Sequence, residues 1–338
     1  MYTFKNTERN NKKSSEFETK SLLYLIGMRP DRKEIEIVTI DCFNDVTGSN
    51  IDCSKLWDIQ SKNHAILNPA KIGESLYTLY DNFISKINFV DYILFIPKLK
   101  PEYLIDNSLN TYKYANIKKK IQTGIEKKLK VKIGDTSPPL FDNFLENVIF
   151  VQDNKRISTY IKTIAQFKNK KIVTEAFYES IFNEIRDIQT GLKNSYIENI
   201  TIKNPKEVLN FNRYITKNDI NTLLISRLLG VEIFSSHSIP PAFLPFIKDI
   251  FDDEEAVKDL IQECNSNLSR AFFNKNDSRK FWKISELIIS EIRGNRGYDV
   301  SQIYAYLELS MNITSIYLTR ETIQYMIALI KTGIENDN

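Results

Sequence analysis

The stretch IVTIDCFNDVTGSNIDCSKLWDIQSKN, residues 37–63, decides the fold of the first part of the chain. Its beginning belongs to EIEIVTIDCF (34–43), where β-branched residues alternate as they do in a strand. Residues 44–54 are rich in turn formers around Gly48, and KLWDIQSK (55–62) then returns as a second strand. The stretch therefore predicts two strands separated by a turn.

Polar side chains occupy the second of these strands. Residues two apart share a face of a strand, so Asp58, Gln60 and Lys62 would line one side while Trp57 joins the core. Such a row suits phosphodiester hydrolysis, because oxygen ligands hold a hard divalent cation and an ammonium orients water or offsets charge on phosphorus. Asp45, in the preceding turn, could add an anionic ligand. Alternatively, Asp58 and Lys62 pair on an exposed face and Asp45 only starts a turn.

Helical and apolar segments surround this pair of strands. Residues 14–28 and 70–87 have apolar residues at helical spacing, and FVDYILFIPKL (89–99) is typical of a strand buried on both faces. The predicted order is helix, strand, turn, strand, helix, strand. A long helix is predicted over 173–194. From about Thr201 onward six further segments are predicted to be helical: 220–234, 240–251, 254–273, 279–294, 300–311 and 319–334.

Charge alone does not indicate a nucleic-acid partner. The 338-residue chain has 46 basic and 43 acidic residues, a net charge of +3, so any such surface must be local. The strongest candidate is the run 116–134, which also contains Lys130 and Lys132. Within it we consider five lysines as nucleic-acid contacts: Lys118, Lys119, Lys120, Lys127 and Lys128. The alternative is a solvated helix face whose buried stripe is Ile117, Ile121, Ile125 and Leu129.

Cysteines and histidines argue against zinc and disulfides. Cys42, Cys53 and Cys264 are an odd number without C-x-x-C spacing, and only His64 and His237 could join them as ligands. His64 could assist a proton transfer or simply lie at the surface. The first fifteen residues lack the apolar core of a signal peptide, and no apolar run is long enough to span a membrane, so we expect a cytoplasmic protein.

The pattern Asp45, then Gln60-Ser61-Lys62, together with the order of elements, resembles the PD-(D/E)XK nuclease superfamily in its Q-x-K branch. More narrowly, it is similar to the double-stranded-DNA endonuclease effector domain of bacterial anti-phage systems such as CBASS and Lamassu. The resemblance covers Ser14 to Leu99 and reaches toward residue 200. It does not extend to the C-terminal third.

The resemblance implies a role for each matching residue. Asp45 becomes a metal ligand, Gln60 a second ligand through its amide oxygen, and Lys62 the catalytic lysine. The carbonyl of Ser61 also contacts the metal, which would be Mg²⁺ or Mn²⁺. Because glutamine replaces the more common carboxylate, the site would hold the cation weakly until assembly or a partner orders it.

The resemblance also implies an acidic residue on the first helix, a role that Glu18 or Glu16 could fill. This helix departs from the family pattern, because it has no glycine followed by an aromatic residue and glutamine. Which glutamate belongs to the site is therefore left open.

The fold implied is α/β, with a restriction-endonuclease-like domain over residues 1–200 and a mainly helical domain over 201–338 that senses, oligomerises or docks. The expected function is a Mg²⁺-dependent DNA endonuclease, the effector of a defence system, active as a homo-oligomer. An SMC- or ABC-type ATPase partner would be a separate chain, since no Walker A motif is present. Two other hypotheses remain: an inert DNA-binding adapter, and a nuclease acting on RNA or single strands.

Overall fold

The computed structural model describes residues 1–4, 12–64, 66–193, 196–229 and 239–336. The strands in these ranges are β1 (Tyr2–Thr3), β2 (Ile37–Ile40), β3 (Val46–Ser49), β4 (Leu56–Ser61), β5 (Asp91–Pro97), β6 (Thr111–Lys113), β7 (Val148–Asp153), β8 (Thr201–Ile202) and β9 (Tyr214–Thr216). The α-helices are α1 (Lys12–Gly27), α2 (Pro69–Ser75), α3 (Tyr77–Phe83), α4 (Lys119–Ile133), α5 (Pro138–Asn147), α6 (Ile157–Ile164), α7 (Glu175–Leu192), α8 (Lys217–Leu229), α9 (Glu254–Phe273), α10 (Ser278–Gly294), α11 (Val300–Ser310) and α12 (Arg320–Asn336).

The chain forms two compact units. The first consists of Met1–Ile164 and Phe182–Ile220 and is mixed α/β. The second consists of Ala165–Ile181 and Asn221–Asn338, and its described part is mainly helical. Residue 200, where the sequence suggested a boundary, lies within the range of the first unit.

Seven strands of the first unit form one mixed sheet in the order β6-β7-β5-β4-β3-β2-β9. β2, β3 and β4 form an antiparallel meander, whereas β4 pairs in parallel with β5, and β5 in parallel with β7. A parallel pair needs a crossover connection, which α2 and α3 provide between β4 and β5. The carboxyl ends of β4, β5 and β7 therefore meet at one edge of the sheet.

The sequence predicted a turn over residues 44–54, and this prediction was wrong for residues 46–49, which form β3. All four residues of this strand are buried. A Cβ on Gly48 would lie 3.1 Å from Leu25 Cδ1 and 3.2 Å from Ile35 Cγ2, so a larger residue would have to displace these side chains slightly. The sequence VTGS contains a single apolar side chain. An alternating hydrophobic pattern therefore could not reveal this strand.

Residues 70–87 form two short helices, α2 and α3, instead of the single helix predicted. The two meet at Leu76, which caps the end of α2 and the start of α3. The predicted apolar stripe is nevertheless buried at Ile72, Leu76 and Leu79. α2 packs so closely on α4 that a Cβ on Gly73 would overlap the carbonyl oxygen of Ile125.

β5 is buried on both faces, as its continuous apolar sequence predicted. On one face, the rings of Phe17 and Tyr24 in α1 pack 5.0 and 5.8 Å from the ring of Phe95. On the other face, Phe83 of α3 packs 5.4 Å from Tyr92. Helices thus cover both sides of the sheet next to β4, which carries the predicted polar row.

The helices predicted toward the C-terminus are present as α9 to α12. The predicted helix 220–234 is α8 as far as Leu229, and residues 230–234 lie outside the described part. Residues 240–251 form short 3-10 helices, Pro241–Phe246 and Lys248–Ile250. β9, which the sequence did not indicate, pairs with β2. Among the described helices, none is both long enough and apolar enough to cross a membrane.

Candidate active site

Asp45 is the centre of a small polar cluster at the end of β4. The antiparallel register of β3 and β4 brings it opposite Gln60. Its Oδ2 atom accepts hydrogen bonds from Gln60 Nε2 at 2.5 Å and from the main-chain N–H of Ser61 at 2.8 Å. Lys62 Nζ lies 3.8 Å from the same oxygen. The structure thus brings together the four residues that the D…Q-S-K pattern selects.

A tight connection between β2 and β3 orients Asp45. Asp41 has a φ of 50°, in the left-handed region that aspartate tolerates better than most residues. Its N–H donates to Asp45 O at 3.2 Å, which closes the turn. Asn44 Oδ1 accepts from the N–H of Asp45 at 3.0 Å. Local hydrogen bonds to the main chain of Asp45 therefore set the position of this residue at the start of β3.

A second group of charges lies beside the first and is almost fully buried. Lys193, which directly follows α7, places its Nζ 2.5 Å from Glu18 Oε2 and 3.0 Å from Asp41 Oδ2. Arg213 Nη2 lies 3.6 Å from the same oxygen of Asp41. No more than 9% of any of these four side chains is exposed. Two carboxylates are thus neutralised by two cations of the protein itself.

Electrostatics link the two groups. Burial raises the pKa of Asp45 to about 7; Lys62 opposes this rise, and Glu18 and Asp41 add to it. Burial also acts to lower the pKa of the Lys193 ammonium, but the same two carboxylates outweigh it and raise that pKa above its ordinary value. Burial is therefore the main reason that the pKa of Asp45 is raised, while the neighbouring charges act on it in both directions.

Asp58 lies in the core, and the polar row predicted along β4 is buried at Asp58 and Gln60. All of β4 is buried, and Asp58 has no exposed surface. Its Oδ2 accepts from Asn82 Nδ2 at 2.7 Å and from Asn44 Nδ2 at 3.4 Å. The alternative in which Asp58 pairs with Lys62 on an open face is therefore wrong.

The two glutamates proposed for the first helix occupy different surroundings. Glu18 is buried and contributes to the charge around Asp45. Glu16 leaves 48% of its side chain exposed and lies 3.5 Å from Lys20. Of the two, Glu18 is the one that the fold places beside the cluster.

His64 is partly exposed just beyond β4. Burial, together with the nearby positive charges of Lys71 and Lys62, lowers its pKa. His237 lies outside the described residues. Its surroundings therefore favour the neutral form of the imidazole.

The lysine run forms the exposed surface of α4 and its approach. Ile117, Ile125 and Leu129 are buried, as the solvated-helix interpretation predicted, and Ile121 is partly buried. Lys128 pairs with Glu74 at 2.9 Å. The candidate contacts Lys118, Lys119, Lys120 and Lys127 are exposed. Their role with nucleic acid stays a prediction.

Lys193 and Arg213 were missed by the sequence reading. They lie more than 130 residues from Asp45 along the chain, and neither belongs to a recognisable motif. Because most arginines and lysines are exposed, a sequence alone gives no reason to expect that Arg213 and Lys193 are buried. Only the tertiary fold brings them to Asp41 and Glu18.

The cluster offers oxygen ligands that suit one hard divalent cation. These are the Asp45 carboxylate, the Gln60 amide oxygen and the Ser61 carbonyl. The Gln60 amide presents its nitrogen to Asp45, and turning the amide over would present its oxygen instead. Among the described residues, no three Asp, Glu, His or Cys side chains are grouped to hold a metal. The donors therefore fit a weakly held cation with one carboxylate ligand.

Comparisons with known proteins do not place the chain in a family. No protein-family model and no curated protein matches its sequence, and no solved structure matches its fold.

Proposed function

We propose that this chain is a metal-dependent nuclease that hydrolyses phosphodiester bonds in double-stranded DNA. The proposal is carried by one observation: the Gln60 amide, the Ser61 main chain and the Lys62 ammonium all converge on Asp45 at the carboxyl end of β4. The order from α1 through the β2–β4 meander and a crossover to β5 supports the resemblance to PD-(D/E)XK nucleases.

Asp45 and Gln60, with the carbonyl of Ser61, would hold the Mg²⁺ or Mn²⁺ ion. When bound, that ion supplies positive charge to the scissile phosphate. The protein contributes orientation, because the Ser61 N–H and the turn beginning at Asp41 keep the Asp45 carboxylate in one position. Asp58 takes no part, because its side chain has no exposed surface and its Oδ2 accepts from Asn82 and Asn44 inside the core.

Lys62 is the residue that would act on the substrate. Its side chain is 25% exposed, and its ammonium lies 3.8 Å from Asp45 Oδ2. An ammonium at this position can orient the attacking water and stabilise the charge that develops on the phosphoryl oxygens. Replacing it with methionine keeps the length of the side chain and removes the charge.

A metal site with a single carboxylate ligand binds its cation weakly, which suits an enzyme that must be inactive before activation. We therefore assign the chain to the effectors of anti-phage defence, with cleavage starting when homo-oligomerisation or an ATPase partner orders the site. In this assignment the mixed α/β unit cuts DNA and the helical unit senses, oligomerises or docks. Rapid degradation of plasmid by dilute, isolated monomer would contradict this regulation.

The test is cleavage of supercoiled plasmid with Mg²⁺ by wild type, Lys62→Met and Asp58→Asn over a range of protein concentrations. We expect the cleavage rate of Lys62→Met to be at least about 100-fold lower than that of wild type, as when other groups that stabilise charge are removed. The cleavage rate of Asp58→Asn should equal that of wild type. Adding RNA or single-stranded DNA as competitor separates the substrates. Plasmid binding without cleavage under every condition would favour the inert adapter instead.

A further inference from the structure

Lys193 occupies a position between two carboxylates where a metal ion would otherwise be attracted. Its ammonium contacts Glu18 Oε2 at 2.5 Å and Asp41 Oδ2 at 3.0 Å, and only 7% of its side chain is exposed. Asp41 is also held through its main chain, because Arg213 Nη1 donates to the carbonyl oxygen of Asp41 at 3.3 Å. Glu18 is further held by Gln189 Nε2 at 3.5 Å. Elements distant in sequence thus converge to hold this lysine.

The charges of this group balance. Glu18 and Asp41 carry two negative charges, and Lys193 and Arg213 carry two positive charges, all within a nearly dry environment. Burial is costly for an uncompensated charge, so removing one cation would leave a net negative group that attracts another. A divalent ion with oxygen ligands is the natural replacement, because two carboxylates are the ligands it prefers.

We propose that Lys193 is the resident cation of this site and keeps divalent ions away from Glu18 and Asp41. Any divalent ion is thereby confined to Asp45 and its neighbours. This inference rests on the proposed nuclease function for its biological meaning, and it makes Lys193 a positioning residue, since it acts through the carboxylates beside Asp45.

The experiment is calorimetric titration of the full chain with Mn²⁺ in the absence of DNA, comparing wild type with Lys193→Met. We expect the variant to gain one Mn²⁺ per chain, or to bind Mn²⁺ at least about ten times more tightly than wild type. Lys193→Arg, which keeps the charge, should titrate like wild type.

Lys20→Met is the matched control, because it also removes a largely buried lysine from a carboxylate, Asp153 at 3.2 Å. It should leave Mn²⁺ binding unchanged. Equal Mn²⁺ binding by wild type and Lys193→Met would overturn the inference, as would a second Mn²⁺ on wild type bound as tightly as the first. That second readout needs no variant to fold.

The two proposals fail separately. Loss of cleavage in Lys62→Met with unchanged Mn²⁺ binding in Lys193→Met would refute only the role of Lys193. A gain of Mn²⁺ in Lys193→Met, with no cleavage by any form of the protein, would refute the nuclease and keep the resident cation.

Discussion

Replacing Asp58 with asparagine should remove part of the pH dependence of stability. Asp58 is fully buried, and burial raises its pKa to about 7 although Asn82 and Asn44 donate to its Oδ2. Its Oδ1 has no hydrogen-bond partner among the described residues. Ionisation of this carboxyl group therefore lowers the free energy of unfolding of the protein.

The sign and size of the effect follow from the two pKa values. Below pH 4 the carboxyl is protonated in both the folded and the unfolded chain. Between about pH 4 and 7 the folded chain keeps a proton that the unfolded chain has released, so the free energy of unfolding falls as pH rises. Each pH unit costs at most about 1.4 kcal/mol, which gives an upper bound of about 3 kcal/mol between pH 5 and 7.

Asparagine does not titrate, so this loss should be absent from Asp58→Asn. The assay is urea unfolding at pH 5, 6, 7 and 8, monitored by Trp57 fluorescence in a Trp282→Phe background. We expect the variant to gain stability relative to wild type as pH rises, with most of the change below pH 7. Asp45 titrates in both proteins, and because its charge adds to the raised pKa of Asp58, the difference between the two proteins includes this coupling. Parallel curves from pH 5 to 8 would refute the reasoning.

Two further predictions concern packing and the basic surface. Gly73→Ala should destabilise the first unit by about 1–3 kcal/mol in urea unfolding, because the added methyl meets the carbonyl oxygen of Ile125. Gly191→Ala, which meets nothing within 4 Å, should be neutral or stabilise by up to about 1 kcal/mol, and equal losses in both would contradict this account. Changing the exposed lysines 118–120 to glutamine should lower the salt slope of DNA binding by about 0.9 per lost phosphate contact; an unchanged slope would exclude this surface from the interface.

The elements with long, regular patterns were predictable from the sequence. β5 is an unbroken apolar run, and α9 repeats its apolar residues at helical spacing, so local composition was sufficient for both. The grouping of Asp45 with Gln60 and Lys62 could also be anticipated. These residues are close in sequence, and adjacent antiparallel strands bring them together.

The remainder depends on contacts that sequence patterns do not carry. β3 forms although its sequence is typical of a turn, since it pairs with both β2 and β4 while Gly48 packs against Leu25 and Ile35. One interpretation of the sequence paired Asp58 with Lys62 at the surface, yet Asn82 from α3 donates a hydrogen bond to Asp58 inside the core. Both the strand at β3 and the core position of Asp58 depend on burial, which is determined by the tertiary structure.

The same limit applies to the charges around the candidate site. Lys193 and Glu18 are 175 residues apart, so no spacing rule relates them. Their pairing depends on α7 ending beside α1. A sequence can therefore suggest the ligands of such a site more readily than the groups that neutralise it.

The most direct test of the nuclease assignment is the rate of Mg²⁺-dependent plasmid linearisation by Asp45→Asn beside wild type, measured under the condition that activates wild type best. The account predicts a loss of at least about 100-fold in the variant, and loss of wild-type cleavage when the metal is chelated. Cleavage by Asp45→Asn at the wild-type rate, or cleavage that persists without divalent metal, would contradict it.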